Sequence, residues 1–247
     1  MKNRGSRVHQ GIKSKIDRGE IVRLLDVASE VRRLPFEVIQ GAFNYELTFG
    51  DRPFPSEKIS KKNPPISLTD RTEEIVIDGT LGFYDSTTKT ITIFSKAINR
   101  AAEILGVSAI DLTQIVRLHE YAHALLHLGV DKAARRSLMP GDSLSAEHVD
   151  RMDSWFKALD PNLHEALAQL LVREGLRWLK DKATIPDAQA SIDRLQEVFR
   201  RLMQRAPSAY QIDKFDSIEK GRIFGGIRLL KNGGLVGADA WETVVTW

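Results

Sequence analysis

The 247-residue chain has no cysteine, which excludes disulfides, a thiol nucleophile and every zinc site built on thiolates; a bound metal must rest on His, Asp or Glu. Long apolar runs are missing as well: no stretch approaches the ~18 residues of a membrane helix. The basic first twenty residues lead into no apolar segment of the secretory kind, so we expect a cytoplasmic protein without membrane contact. Nor is there a surplus of one charge. Lys and Arg total 36 against 33 Asp and Glu, and a net charge of +3 is too slight to mark a nucleic-acid partner. What is present, 42% hydrophobic and 28% charged residues, is the composition of a folded globular chain.

Residues 1 to 35 hold nine Lys or Arg and four acids, a locally basic stretch best read as a solvated terminus. Within it Ile21, Leu24, Leu25, Ala28 and Val31 recur at helical spacing up to Pro35. Four of the nine prolines fall in residues 51 to 65, which read as a linker or an extended surface segment. Gly82–Tyr84 and Thr90–Phe94 flank the turn-rich Asp85–Lys89 and fit a hairpin. A helix capped by Ser95 should end at Gly106, and a second should run from about Asp111 to Leu128 and stop at Gly129. Further helices are expected at Leu163–Lys180 and Pro186–Gln204, and short strands and turns over the last 37 residues. The expected organisation is an N-terminal segment to residue 65, a core over 66–180 and a C-terminal part over 181–247.

Inside the second helix stands His119-Glu120-Tyr121-Ala122-His123. Four residues make a little more than one turn, so both imidazoles leave the same face and can bind one Zn²⁺. Glu120 lies about 100° round the helix from His119, within reach of a metal-held water without being a ligand, which suits it to act as a base. With six His in the chain, chance yields this spacing on the order of once in a hundred such sequences. Leu112, Val116 and Leu126 share the histidine stripe, so the rings should face the interior, where they need partners.

The third ligand must lie downstream. The metzincin spacing is absent, since Leu126 and Gly129 occupy its Gly and His positions. His127 is one turn beyond His123, but three ligands spread over about 12 Å of helix cannot meet one tetrahedral ion, so His127 is assigned to packing or to supporting a ligand. Glu147, His148, Asp150, Asp153, His164 and Glu165 remain. Glu165 is preferred because it opens a helix that is apolar on nearly every side and shares its stripe with small Ala168; His164 and Glu147 stay open as alternatives. For an oxyanion donor, Tyr210 and His148 are available types and nothing chooses between them.

His119–His127, HEYAHALLH, resembles the HELGH-x-LLH segment of ImmA/IrrE-type zinc metallopeptidases. The Gly82–Asp85 and Thr90–Ile93 strands look like the pair that precedes it there, and Glu165-x-x-Ala168-Gln169 is similar to the family's Glu-x-x-Ala-Asn helix. The resemblance covers about residues 80 to 175. It implies an α+β, zincin-like fold, a small mixed or antiparallel sheet packed on the HExxH helix with additional helices. Thr90–Phe94 would be the edge strand that pairs with an extended substrate. It further implies zinc on His119, His123 and Glu165, with a protein or peptide substrate, often a regulatory protein, cleaved with Glu120 as base. Two departures stand out: Ala122 replaces the usual Gly, and 41 residues separate His123 from Glu165, so an insertion over about Asp131 to Leu159 should form a loop or an extra helix. A zinc-stabilised binding or regulatory module without catalysis is the alternative reading.

Overall fold

The computed structural model describes residues 38, 42, 46–47, 55–71, 74–130, 146–183, 186–210, 212–215 and 217–246. The expected helix before Pro35 lies outside them, as do residues 131–145 of the expected insertion. Among the described residues, strands fall almost entirely before residue 95 and helices after it, giving a mixed α+β molecule that is mostly helical. The strands are β1 Glu46–Leu47, β2 Ser56–Ser60, β3 Ile66–Arg71, β4 Glu74–Gly79, β5 Gly82–Asp85, β6 Thr90–Phe94 and β7 Gly129–Val130. The α-helices are α1 Ser95–Leu105, α2 Ala109–Leu128, α3 Ala146–Ala158, α4 Pro161–Lys182, α5 Pro186–Arg205, α6 Lys220–Gly233 and α7 Ala238–Thr246.

The expected hairpin forms because Asp85 closes its turn, accepting from the Thr87 and Thr88 N–H groups at 2.8 and 3.2 Å and from the Thr88 hydroxyl at 2.8 Å. β5 and β6 pair antiparallel from Gly82↔Ile93 to Asp85↔Thr90. On the far side of β6, β2 pairs parallel from Ser56↔Thr90 to Ser60↔Phe94, so the sheet is mixed, in the order β2-β6-β5. Two expectations are corrected by this. Thr90–Phe94 is the central strand, not the edge; the edge beside α2 is Gly82–Asp85. Of the two readings of the proline-rich stretch, the extended surface segment holds at Ser56–Ser60 and only the linker is corrected, because its prolines stand outside those five residues and leave every ladder N–H intact. A buried ion pair, Arg117 Nε to Glu57 Oε1 at 2.9 Å, ties β2 to α2. β3 with β4 and β1 with β7 form separate antiparallel pairs.

α1 ends on Gly106 in the left-handed conformation, φ 62°, as expected, but its N-cap is Phe94, with no side-chain cap from Ser95. α2 begins earlier than read from sequence. Ser108 is its cap, with Oγ accepting the Asp111 N–H, so Asp111 sits inside the first turn instead of at the cap. Buried on nearly every side, α2 packs against β5, β6, α1, α3, α4 and α5. α4 is started by the Asp160 carboxylate, which accepts the Leu163 N–H at 2.9 Å, and by Pro161 in its first turn.

Among the described residues of the last 37, helices α6 and α7 stand where short strands and turns were expected. Ile223, Ile227 and Leu230 recur one turn apart and are fully buried in α6, while a side chain added at Gly221 or Gly225 would meet open space. Those glycines are solvent-side positions of a helix, not strand punctuation. α6 also completes α2: Lys231 Nζ donates to the carbonyls of Leu126 and Gly129 at 2.7 and 2.6 Å, at the end where helix carbonyls lack partners and the dipole favours a cation. No helix among the described residues is long and apolar enough to cross a membrane. Replacing Lys231→Met should strand both carbonyls and cost about 1–3 kcal/mol, measured as a lower midpoint in urea with an unchanged slope.

Candidate metal centre

The i, i+4 spacing on α2 and the crossing of α4 bring three side chains to one point. His119 Nε2 and His123 Nε2 are 2.9 Å apart, and Glu165 Oε2 lies 3.1 Å from the first and 3.5 Å from the second. A tetrahedral ion with bonds of ~2.0–2.1 Å separates its ligands by about 3.3–3.4 Å, so the three atoms already stand near the spacing a metal imposes. Among the described residues these are the ones whose His, Asp or Glu ligand atoms converge within 4.8 Å of one another. The other candidates do not join them. Glu147 is exposed on α3, His148 Nδ1 faces Arg151 at 3.0 Å, and Asp153 is held by His127 and Lys89. His164 lies behind the cluster: its Nε2 is 3.2 Å from His123 Nδ1 and its ring lies 4.2 Å from the His123 ring.

The buried groups of the cluster shift one another's titration. Burial lowers the His119 pKa, but its bond to Glu165 and the charges of Glu120 and Glu165 outweigh that and raise it. His123 moves down, through burial and the neighbouring charge of His119. Burial would raise the Glu165 pKa, yet the two imidazole bonds hold it far below the usual carboxylate range. Glu120 is buried in the same cavity and is not among the convergent atoms. Desolvation pushes it up to about 7, with the charge of Glu165 adding to the rise and His119 and the nearby main chain of Tyr84 opposing it. One turn after Glu165, Gln169 interacts with His119 and favours its protonated form, yet His119 Nδ1 and Gln169 Oε1 are both buried without a completed hydrogen bond. Gln169 is thus a neighbour of that ring that its sequence position alone did not reveal.

A cavity of about 310 Å³ opens over the cluster, with Ile115, Val116, Leu202 and Met203 as its apolar wall and β5 along its rim. Because the Phe94 N–H donates to Leu81 O, residues 81, 83 and 85 point their main-chain groups at β6, and Gly82 and Tyr84 turn theirs outward to α2 and the cavity. The strand runs very close to the helix. A Cβ at Gly82 would stand 2.6 Å from Glu120 Oε1 and 2.8 Å from Val116 Cγ1, so only glycine fits there. Of the two candidate oxyanion donors, Tyr210 lines the cavity with its ring 6.0 Å from that of His119, whereas His148 does not reach it.

These groups can hold a divalent cation through two nitrogens and one oxygen, with a carboxylate beside it free to carry a proton. Gly82→Ala should force β5 and α2 apart and cost about 1–3 kcal/mol of stability by overpacking, checked by denaturant titration. Comparison of the chain with protein-family models, curated proteins and solved structures finds no match, so its own geometry carries the functional reading.

Proposed function

We propose that this protein is a zinc-dependent metallopeptidase of the gluzincin kind, most like the ImmA/IrrE group, with His119, His123 and Glu165 as ligands and Glu120 as base. The observation that carries the reading is that two helical histidines and a carboxylate from a second helix converge at ligand spacing while Glu120, one residue after the first histidine, stays out of the cluster but inside its cavity. The donor set, two imidazoles and one carboxylate with room for a further ligand, suits Zn²⁺ acting as a catalyst. Bound there, zinc supplies Lewis acidity, lowering the pKa of a water towards ~7 and polarising a carbonyl.

The chain's own residues do the rest. Glu120 takes the proton of the attacking water and returns it to the leaving amine, a shuttle its place in the cavity outside the ligand cluster allows. The outward main-chain groups of Gly82 bind an extended peptide as an added strand, which places the edge role on β5. Tyr210, on the wall facing His119, supplies the donor for the developing oxyanion. Within this reading a protein or peptide is the substrate, and the resemblance in HEYAHALLH favours a regulatory protein.

Glu120→Gln should keep its zinc, measured by metal analysis, and lose hydrolysis of a peptide library by about 10²–10⁴-fold; turnover at the wild-type rate would remove Glu120 from the role. Glu165→Ala should release zinc, and unchanged stoichiometry would return the third ligand to His164 or Glu147. Wild-type protein that binds zinc and cleaves nothing would be the binding or regulatory module without catalysis.

A further inference from the structure

The third histidine of the helix, His127, belongs to no ligand set, yet it is fully buried and fully bonded. Its Nε2 is 2.6 Å from Asp153 Oδ1 and its Nδ1 is 3.0 Å from the Tyr84 hydroxyl. Nε2 also has the Lys89 ammonium at 3.2 Å, but the carboxylate is closer at 2.6 Å and only accepts, so the proton sits on Nε2 and Nδ1 accepts from the Tyr84 O–H. Burial keeps the ring neutral, as this order requires, by lowering its pKa to about 4. Lys89 Nζ sits 3.2 Å from Asp153 Oδ1 and balances its charge. Lys89 holds φ 54°, a left-handed conformation uncommon for a long side chain, and its bonds to Ser86 O and Asp153 secure it there.

Asp153 comes from α3, the helix in the long stretch between His123 and Glu165. From the same helix Phe156 stacks on His127 at 4.5 Å and meets His164 edge-on at 4.5 Å, and His164 backs His123. At its other end the chain of bonds stops at Tyr84, whose main-chain N–H turns away from β6 on the strand that runs against Glu120. The side chain of Tyr84 is therefore anchored below the strand, and its backbone serves the cavity above.

We propose that Asp153, His127 and Tyr84 form a positioning chain that sets the height of β5 over α2, and so holds both the Glu120 carboxylate and the substrate-pairing edge in register. The significance for catalysis rests on the peptidase reading; the mechanical link from Asp153 to the amide of Tyr84 does not. α3 is then the element that completes the site from behind, which gives the 41-residue interval a task.

The test uses the full-length zinc-loaded protein and two readouts, exchange of the residue-84 amide with solvent by NMR, and the kcat and KM of a cleaved peptide. Tyr84→Phe removes only the hydroxyl. Its zinc content should be unchanged, the residue-84 amide should exchange up to about tenfold faster, and kcat should fall by a similar factor, as the loss of one buried hydrogen bond allows, with KM within about twofold. Asp153→Ala should behave alike and Asp153→Asn, which keeps an acceptor, should recover most of the effect. A lower melting temperature with wild-type amide exchange and kcat in Tyr84→Phe would make the chain a stabilising feature only and overturn the proposal. Should the wild type cleave no peptide, the peptidase reading falls while amide exchange still decides the link; should Asp153→Ala not fold, Tyr84→Phe decides alone.

Discussion

Burying helix α2 on almost every side is the constraint from which the rest of the structure follows. A surface helix can leave its polar side chains to water, but this one carries Arg117, Glu120, His123 and His127 into the interior, where an unpartnered polar group costs about 1–3 kcal/mol. Several of the surrounding elements therefore bring a polar group to it. β2 brings Glu57 to Arg117, β5 brings the main chain of Tyr84 near Glu120, α4 brings Glu165 and His164 to the first two histidines, and α3 brings Asp153 to the third. Lys231 from α6 serves the carbonyls at the end. The polar contacts thus fix which elements surround the helix as much as the apolar packing does.

Three histidines repeated at one-turn intervals have three different surroundings. His119 and His123 lie where α4 crosses and a carboxylate can reach both, so their outer nitrogens converge with Glu165. His127 lies beyond that crossing, under β5 and against Phe156, and its nitrogens are used up by Asp153 and Tyr84. The same side chain on the same stripe joins the convergent cluster in one place and a closed hydrogen-bonding link in the other, because a helix advances 1.5 Å per residue and a single crossing helix spans only a turn or two of it.

Much of this was legible in the residues. The HExxH spacing, the Asp85 turn, the Gly106 stop and the apolar stripes of α4 and α5 are local patterns, and each element formed within a few residues of where its pattern lies. The departures share a cause. β2 was hidden among prolines and pairs with a strand 34 residues on; the C-terminal glycines looked like turns until Ile223, Ile227 and Leu230 proved to be buried together. In both cases the deciding contacts are distant in sequence, and no local propensity encodes them.

By itself the sequence determined that two imidazoles share one face of a helix with a carboxylate beside them, since helical geometry places residues 119, 120 and 123 whatever the surroundings. It left Glu165, His164 and Glu147 open as the third member, and Thr90–Phe94 as the edge. Only the tertiary structure decided those points. His164 and Glu165 are adjacent and leave their helix about 100° apart, so the angle at which α4 crosses α2 selects which one meets the two nitrogens, and the parallel pairing of β2 selects which strand is left facing the cavity.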